Sequence, residues 1–388
     1  MRTLCLAFAV AALTAATGIC APFVPASDDT VIERLPESRD PAMAAMKKLR
    51  AAQRRAPGDL ALATAYARRA IEASRATGDP RPLGHAQAAL GPWWNADDAP
   101  RDALLLRATI KQSLHDFDGS LRDLDRLVAR APGDAQALLT RATVRSVVGR
   151  HDEARTDCDR LALRVAPLIA AACRASADGA TARAARAEEA LSRALDVDRD
   201  TQRAVRVWAL TLAGEIAARR GAAAVAEARF RDAFALDATD GYLIGAYADL
   251  LIDTGRPSDA IRLLEPHARH DALLLRLVIA GAQVPARGAR NAEERAELAA
   301  RVDAARRRGD AVHRREEARY ALTVEGDASR AVALARANFA VQKEPADLRL
   351  LVDAASAAGD ASALALARAW IDRTGLVDVR SATGGVRA

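Results

Sequence analysis

Residues 101–134 read RDALLLRATIKQSLHDFDGSLRDLDRLVARAPGD, and residues 135–168 read AQALLTRATVRSVVGRHDEARTDCDRLALRVAPL. The two segments align without a gap. ALLLRAT in the first matches ALLTRAT in the second, and DLDRL matches DCDRL. Position 101 thus corresponds to position 135, and an offset of this size is typical of a repeat that is built from two helices. The alignment therefore predicts a repeated helical hairpin.

The amino-acid composition favours helices along the whole chain. Of the 388 residues, 51% are hydrophobic but only 4% are aromatic, and Ala and Leu dominate the hydrophobic fraction. Both are strong helix formers, whereas the β-branched and aromatic residues that favour strands are scarce. The chain also exceeds the usual length of a single core, which indicates two domains or one elongated array. We therefore predict an all-α protein.

Small residues, glycines and prolines recur at fixed places within the repeat. In the second copy these places hold Ala142, Gly149, Ala154, Cys158 and Pro167. Two later copies hold Gly214, Gly221, Ala226, Phe230 and Ala233, and then Ala248, Gly255, Ala260, Leu264 and Pro266. This pattern resembles the tetratricopeptide repeat, in which small residues let two helices approach and proline ends the second helix. The resemblance implies an all-α, right-handed superhelical solenoid of about nine antiparallel helix pairs.

The solenoid is expected to cover residues 40–380, between a flexible segment at 27–39 and a disordered tail at 381–388. Its clearest repeats are 101–134, 135–168, 207–240 and 241–271, and irregular insertions are expected at 91–100 (GPWWNADDAP) and 281–292 (GAQVPARGARNA). The insertions are interpreted either as binding loops or as irregular turns. In the first of them, Trp93 and Trp94 near Asp97 and Asp98 suggest a sugar-binding corner or an aromatic plug.

The first residues have the features of an export signal. Arg2 supplies a short basic region, and an apolar run extends from Leu4 to Ala16, which is typical of a signal peptide and short for a membrane span. Small residues favour cleavage after Ala26, with Gly18 as the competing site, and a bulky isoleucine before Cys20 disfavours a lipid anchor there. We predict a signal peptide over residues 1–26, a mature protein in the periplasm, and no transmembrane segment in the mature chain.

Cleavage after residue 26 leaves two cysteines in the mature chain. Cys158 and Cys173 lie on either side of the turn that is expected at Pro167. Two cysteines in an oxidising compartment can pair, so a disulfide between neighbouring helices is possible. The alternative is a pair of buried free thiols in an Ala-rich interface.

Three arginines stand where the repeat family usually has an apolar residue. They are Arg107, Arg141 and Arg276, each within a Leu-rich helix. A buried guanidinium group needs a partner, because transfer of an unpaired charge from water is costly. The expected partners lie at matching places in the second helix of the first two repeats, and they are Asp123, Asp125, Asp157 and Asp159. We interpret these residues as structural ion pairs.

Nothing in the sequence indicates catalysis. It contains no Gly-x-Ser-x-Gly motif and no glycine-rich phosphate loop after a strand. His267 and His270 could share a helix face, but no further ligand completes a metal site, so no metal and no cofactor are predicted. His115 and His151 lie at turns of neighbouring repeats, where solvation is expected. The 57 basic and 51 acidic residues are interleaved, which argues against nucleic-acid binding.

A solenoid of this kind binds its partner through the concave face, which is lined by the first helix of each pair. By register with the family, the residues of that face are Thr109, Gln112, Thr143, Ser146, Trp208, Thr211, Glu215, Arg219, Tyr242 and Asp249. Polar side chains with isolated aromatic ones suit a peptide or protein. The predicted function is a non-enzymatic interaction scaffold or accessory factor of the periplasm or cell envelope. The alternative is a periplasmic protein that binds a sugar or a peptidoglycan fragment.

Overall fold

Every regular element of the described chain is helical. The computed structural model describes residues 25, 27, 30–31, 41–308 and 314–380, and no strand occurs among them. Contacts divide the chain into one unit of residues 1–45 and another of residues 46–388. Nearly all of the predicted signal peptide, most of the 27–39 segment and all of the 381–388 tail lie outside the described residues, so these predictions remain open.

The helices follow one another with short connections. In chain order they are α1 (Pro41–Arg55), α2 (Leu60–Thr77), α3 (Arg81–Ala89), α4 (Gly91–Trp94), α5 (Arg101–Ser113), α6 (Phe117–Arg130), α7 (Ala135–Val147), α8 (His151–Ala162), α9 (Pro167–Asp178), α10 (Ala184–Val197), α11 (Arg203–Arg219), α12 (Ala223–Leu236), α13 (Gly241–Asp253), α14 (Pro257–Leu264), α15 (Asp271–Gly281), α16 (Gly288–Arg308), α17 (Arg314–Tyr320), α18 (Ala328–Val341), α19 (Pro345–Ala358) and α20 (Ala361–Thr374). Single 3-10 turns occupy Glu265–His267 and Pro285–Arg287, and a π-helical turn occupies Ala321–Glu325.

Within the described residues the helices pack as nine hairpins, which agrees with the number expected from the repeat. The first hairpin is α2 with α3, and the others pair α5 with α6, α7 with α8, and so on to α19 with α20. The aligned repeats 101–134 and 135–168 contain one hairpin each. The expected insertion at 281–292 is shorter than predicted, because α15 reaches Gly281 and α16 already begins at Gly288. Residues 288–308 are rich in Ala, Arg and Glu, which favour a helix over a loop.

Glycine permits both the turn and the close approach within a hairpin. Gly149, between α7 and α8, has φ of 81°, in the left-handed region that L side chains disfavour. His115 takes the same place one repeat earlier and has φ of 60° despite its side chain. In α11, a Cβ on Gly214 would lie 2.7 Å from the ring of Phe230 in α12. The absence of a side chain at Gly214 therefore lets these two helices touch.

Two of the three arginines form buried ion pairs inside their own hairpins. Arg107 donates through Nε and Nη2 to the Asp123 carboxylate at 2.8 and 2.6 Å, and the two side chains are 3% and 1% exposed. Arg141 repeats this geometry on Asp157, at 2.9 and 2.5 Å. It also donates from Nη1 to Asp125 of the preceding hairpin at 2.8 Å. The arginine of one repeat therefore holds two hairpins together.

The remaining predicted pairs differ from the expectation. Asp159 forms an ion pair with Arg174 of α9 and not with one of the three arginines. Arg276 binds Asp249 of α13, at 3.0 and 2.8 Å, and so pairs with the first helix of a neighbouring hairpin. The second helix of Arg276's own hairpin is α16, and the residue there that corresponds to Asp123 and Asp157, 16 positions after the arginine, is Ala292. The equivalent pair therefore cannot form there.

The segment around Trp93 and Trp94 is fastened to the α5–α6 hairpin. Nη1 of Arg107 donates to the carbonyl oxygens of Trp93, Trp94 and Ala96 at 2.7, 2.6 and 3.1 Å. Both indole rings are partly buried against the hydrophobic core of the first hairpins. The Lys111 ammonium lies 5.8 Å from the centre of the Trp94 ring. This geometry is that of an aromatic plug.

The last two hairpins return to the middle of the chain. The amide N of Lys343 donates to the carbonyl of Val147 at 2.8 Å, and the amide N of Ala182 donates to the carbonyl of Thr374 at 2.9 Å. Trp370 of α20 lies directly against Gly149, so that an added Cβ there would overlap the indole. The hairpins formed by α17–α20 therefore border the inner face that α7, α11 and α13 form.

Cys158 and Cys173 are bonded through their Sγ atoms, 1.99 Å apart, and they join α8 to α9. Both residues are almost completely buried, at 1% and 2% exposure. We expect a chain of residues 27–388, produced in an oxidising compartment, to show no reactive thiol after denaturation, and two after reduction. Reduction should lower its free energy of unfolding by about 3 kcal/mol, which is typical of a loop of this length. Two alkylated cysteines before reduction, measured by intact mass, would contradict the bond.

The Arg141 pair is tested by the replacement Arg141→Ala. It leaves the fully buried Asp157 carboxylate with Arg145 as its remaining guanidinium partner, at 2.7 Å. We expect a loss of about 3 kcal/mol in the free energy of unfolding, because an under-compensated buried charge is costly. The double replacement Arg141→Leu/Asp157→Leu removes both charges and should cost less than the single replacement.

The control for this measurement is Arg68→Ala. Arg68 pairs with Asp102 at 3.1 Å, but the two side chains are 46% and 41% exposed. Its loss should change the free energy of unfolding by less than about 1 kcal/mol. Denaturant unfolding of the four proteins gives the comparison, and equal stability of Arg141→Ala and wild type would rule out the role assigned to the pair.

Candidate functional site

Two adjoining cavities lie on the inner face of the hairpin stack, within the described part of residues 46–388. The larger has a volume of about 670 Å³ and the smaller about 410 Å³. Thr143 of α7 and Trp208 of α11 line both cavities, so the two lie side by side along the stack. We refer to the two cavities together as the inner trough.

The structure brings all ten residues predicted for the concave face to this trough. Thr109 and Gln112 of α5 line the smaller cavity. The larger one is lined by Ser146, Thr211, Glu215, Arg219, Tyr242 and Asp249, beside the two residues that the cavities share. Each of the ten stands on the first helix of its hairpin, which is why they share this face. Whether each side chain is free to bind a ligand depends on the hydrogen bonds and ion pairs that it already forms.

The threonines of the trough direct their hydroxyl protons back into their own helices. Thr109, Thr143 and Thr211 each donate to the carbonyl oxygen four residues earlier, at 2.8 to 3.0 Å. Their hydroxyl oxygens can still accept a hydrogen bond from a ligand. Ser146 differs, because its Oγ has no hydrogen-bond partner among the described residues. That oxygen is buried, so it is not available to a ligand in the trough as the structure stands.

Several polar and charged side chains of the trough already have hydrogen-bond partners within the protein. Tyr242 donates to Glu215 at 2.7 Å, and Arg219 donates to the carbonyl of Gly179 at 3.1 Å. Asp249 lies between Arg276 and Arg319, which donate to its two oxygens at 2.8 and 2.7 Å. Enclosure by the protein raises the pKa of Asp249, but the two guanidinium groups outweigh this and hold that pKa below its usual range. Asp249 is therefore a structural carboxylate of the wall.

Helices α17 and α19 add charged residues that the repeat register did not predict. Arg315 donates to Asp347 at 2.6 and 3.0 Å, and it also pairs with Glu344. Asn338 donates to the same Asp347 carboxylate at 2.6 Å. Burial raises the pKa of Asp347 to about 6, against the opposing effect of Arg315. In the sequence, these residues lie on helices of the last repeats. Nothing there indicates that those helices lie opposite α11 and α13.

His151 was expected to be solvated, and this expectation was wrong. It is only 7% exposed and lines the larger cavity, with the centre of its ring 6.3 Å from that of Trp370. Burial lowers the pKa of His151, although Asp152 opposes the effect. The error has a physical cause, since the turn before α8 is covered by α20, a helix near the other end of the chain.

The described residues contain neither a metal-binding cluster nor a membrane-spanning helix. Among them, no group of three or more His, Cys, Asp and Glu side chains could hold a metal ion. Within the same residues, no helix is long and apolar enough to cross a membrane. Neither cavity is lined by Trp93, Trp94 or Asp97, and the Asp97 carboxylate pairs with Arg126 at 2.7 Å.

Comparison with known proteins gives similarity of architecture only. The sequence matches no family model and no curated protein. Among solved structures, the chain is similar to a tetratricopeptide repeat protein from Parabacteroides merdae ATCC 43184, with 15% identity, a TM-score of 0.31, and coverage of 81% of this chain and 92% of that one. It is also similar to the TPR domain of P58(IPK), with 14% identity, a TM-score of 0.25, and coverage of 76% and 98%. These values are too low to support any argument about function, and the description of the chain as an all-α stack of tetratricopeptide-like hairpins rests on its own internal repeat and nine packed hairpins.

Proposed function

We propose that this chain is a non-enzymatic interaction scaffold, or an accessory factor of the cell envelope, that binds a segment of another protein in the inner trough. The observation that supports this most directly is that the two cavities adjoin and together extend from α2 and α5 to α13 and α19. A small ligand needs one compact pocket, whereas an extended chain needs a long channel. The trough has the second form.

The wall of the trough suits a polypeptide ligand. Trp208 and Tyr242 offer large, stiff surfaces, which lose little conformational entropy on binding. Tyr242 is 61% exposed, although its helix is packed on both sides, so its ring is available to a partner. Most charged groups of the wall already have partners, so binding would not depend on a single strong ion pair.

The alternative of a sugar or peptidoglycan-fragment binding protein depended on the Trp93–Trp94 segment. The rings of that segment pack against the core, and Arg107 holds its carbonyl groups. A carbohydrate stacks on an exposed aromatic face, and these rings are partly covered. The geometry therefore favours the peptide over the saccharide as a ligand.

The binding role is tested with the replacement Tyr242→Ala. Affinity purification from an envelope extract, with the tagged chain as bait, should retain a protein in stoichiometric amount. The purified partner is then titrated by calorimetry. Loss of an exposed aromatic contact in the trough should weaken its binding at least tenfold, which corresponds to about 1.4 kcal/mol.

A matched control is Leu163→Ala. Leu163 is also an exposed large hydrophobic residue, at 83%, but it lies outside both cavities. It should leave the binding constant unchanged. If the two replacements weaken binding equally, or if neither does, the trough is not the binding surface.

Export to the periplasm is proposed from the features of residues 1–26. The full-length chain, produced in a Gram-negative host, should appear in the periplasmic fraction as a product that begins at Ser27. Intact mass and N-terminal sequencing measure this directly. Retention of the uncleaved chain in the cytoplasm would refute the assignment. The replacements Leu6→Asp and Val10→Asp, which interrupt the apolar run, serve as the control and should abolish cleavage.

A further inference from the structure

His151 lies buried where the last hairpins meet the middle of the chain. It begins α8, directly after the turn at Gly149, and its ring packs against the indole of Trp370 in α20, with the two ring centres 6.3 Å apart. Trp370 also lies against Gly149, and the amide of Lys343 donates to the carbonyl of Val147 at 2.8 Å. We refer to Gly149, His151, Lys343 and Trp370 together as the closing contact, because they join α7 and α8 to the last hairpins.

The ring of His151 is both buried and unpaired. Neither of its nitrogens has a hydrogen-bond partner among the described residues, and neither is exposed to solvent. A neutral imidazole has one N–H group that needs an acceptor, whereas an imidazolium has two such groups and carries a positive charge. A buried charge without a partner is costly. The closing contact therefore accepts His151 in its neutral form and disfavours its charged form.

The charged groups around His151 do not supply the missing partner. Asp152 and Arg155 stand on its own helix, Asp178 ends α9, and Arg183 precedes α10. These two carboxylates and two guanidinium groups form ion pairs with one another at 3.1 to 3.8 Å. Burial is the main cause of the lowered pKa of His151, and Arg183 lowers that pKa further whereas Asp152 opposes the effect. Both neighbouring carboxylates are thus already neutralised by arginines.

The other side of the closing contact is positively charged. The guanidinium carbon of Arg373 lies 4.5 Å from the centre of the Trp370 ring, and the ammonium nitrogen of Lys343 lies 5.9 Å from it. Burial lowers the pKa of Lys343, and Arg373 lowers it further. An imidazolium against the same indole would add a third positive charge. Opening of the contact relieves this repulsion and exposes the protonated ring of His151 to water.

We propose that protonation of His151 opens the closing contact, so that the last two hairpins leave the inner face and the larger cavity loses one of its walls. Arg315 of α17 and Arg349 of α19 line this cavity together with residues of α11 and α13. A partner that contacts both walls is therefore released when the pH falls. The inference adds a regulation to the proposed function, and its consequence for the partner rests on that function.

The neighbouring carboxyl groups respond to acid in the opposite sense or at lower pH. Burial raises the pKa of Asp347 to about 6 and also raises the pKa of Asp178. A carboxyl group whose pKa is raised in the closed form binds protons more readily there, so acidification stabilises that form. The pKa values of Asp249 and Glu344 are lowered, so these groups remain charged down to about pH 4. Mild acid therefore favours opening through His151 and not through these carboxyl groups.

Hydrogen exchange tests the opening without any partner. The probes are the amides of Lys343 and Ala182, whose hydrogen bonds join the last hairpins to the middle of the chain. Mass spectrometry compares their protection factors at about pH 7.5 and about pH 5.5, corrected for the intrinsic effect of pH on exchange. With a pKa of 6.5 for the exposed histidine, the equilibrium shifts toward the open form by up to tenfold over this range. Protection of both amides should fall by about threefold to tenfold.

Two variants assign the response to one histidine. His151→Phe keeps an aromatic ring against Trp370 but cannot be protonated, so its protection should be the same at both pH values. The matched control is His85→Gln, which removes an exposed histidine outside both cavities and should respond to pH as the wild type does. The α11–α12 hairpin contains no histidine, and its amides should stay protected throughout. If circular dichroism shows that His151→Phe is unfolded, His151→Gln replaces it.

Protection of the wild type that does not change with pH would overturn the proposal. An equal loss of protection in the wild type and in a folded His151 variant would do the same, as would an equal loss in α11–α12, which would indicate general unfolding.

The envelope partner separates this inference from the proposed function. A partner that the wild type releases in mild acid, and that His151→Phe retains, supports both. If the two amides respond as expected but no partner is retained at about pH 7.5, the acid-sensitive closure stands and the proposed function fails. If a partner that Tyr242→Ala weakens is bound equally at both pH values, the proposed function is kept and the regulation is refuted.

Discussion

The arginine that stands in the middle of a Leu-rich helix is the constraint on which the first hairpins depend. Arg107 and Arg141 are each buried, and each is neutralised by an aspartate at the same separation along the chain, in the second helix of its own hairpin. The separation fixes the register of one helix against the other, since a shift by one turn would leave a buried charge unpaired. Arg141 extends the same constraint to the next interface through Asp125. An Ala-rich interface with few aromatic side chains has little else to define how its helices align.

The part of the structure that follows from local sequence could be predicted well. The alignment of segment 101–134 with segment 135–168 indicated the hairpins, and the family register brought all ten predicted positions to the inner trough. These are properties of one repeat and its neighbour, and the pattern of small and apolar residues encodes them directly. The pairing of Arg107 with Asp123 could be predicted equally well, because a buried charge needs a partner nearby.

What the sequence did not reveal arises from contacts between distant repeats. Nothing near His151 indicates that Trp370 covers it, and nothing near Val147 indicates that its carbonyl bonds to Lys343. Asp249 illustrates the consequence for the site. It was predicted as a ligand-binding residue because it faces the trough, but Arg276 and Arg319 use both of its oxygens. The curvature of a hairpin stack accumulates from a small rotation at each interface. The contacts between distant repeats therefore cannot be predicted from any single repeat.

The contact of Trp370 with Gly149 has a consequence for how this architecture can change over evolutionary time. Open arrays of hairpins gain and lose units by duplication and deletion, because each unit touches only those next to it. Here Trp370 of α20 packs against one particular turn, the one between α7 and α8. A duplicated unit between α7 and α20 would move the Trp370 indole away from Gly149. The Lys343 amide would also lose its hydrogen bond to the carbonyl of Val147. The number of hairpins between α7 and α20 is therefore constrained by this contact, and new specificity in that part of the stack is expected from exchange of side chains and not from added units.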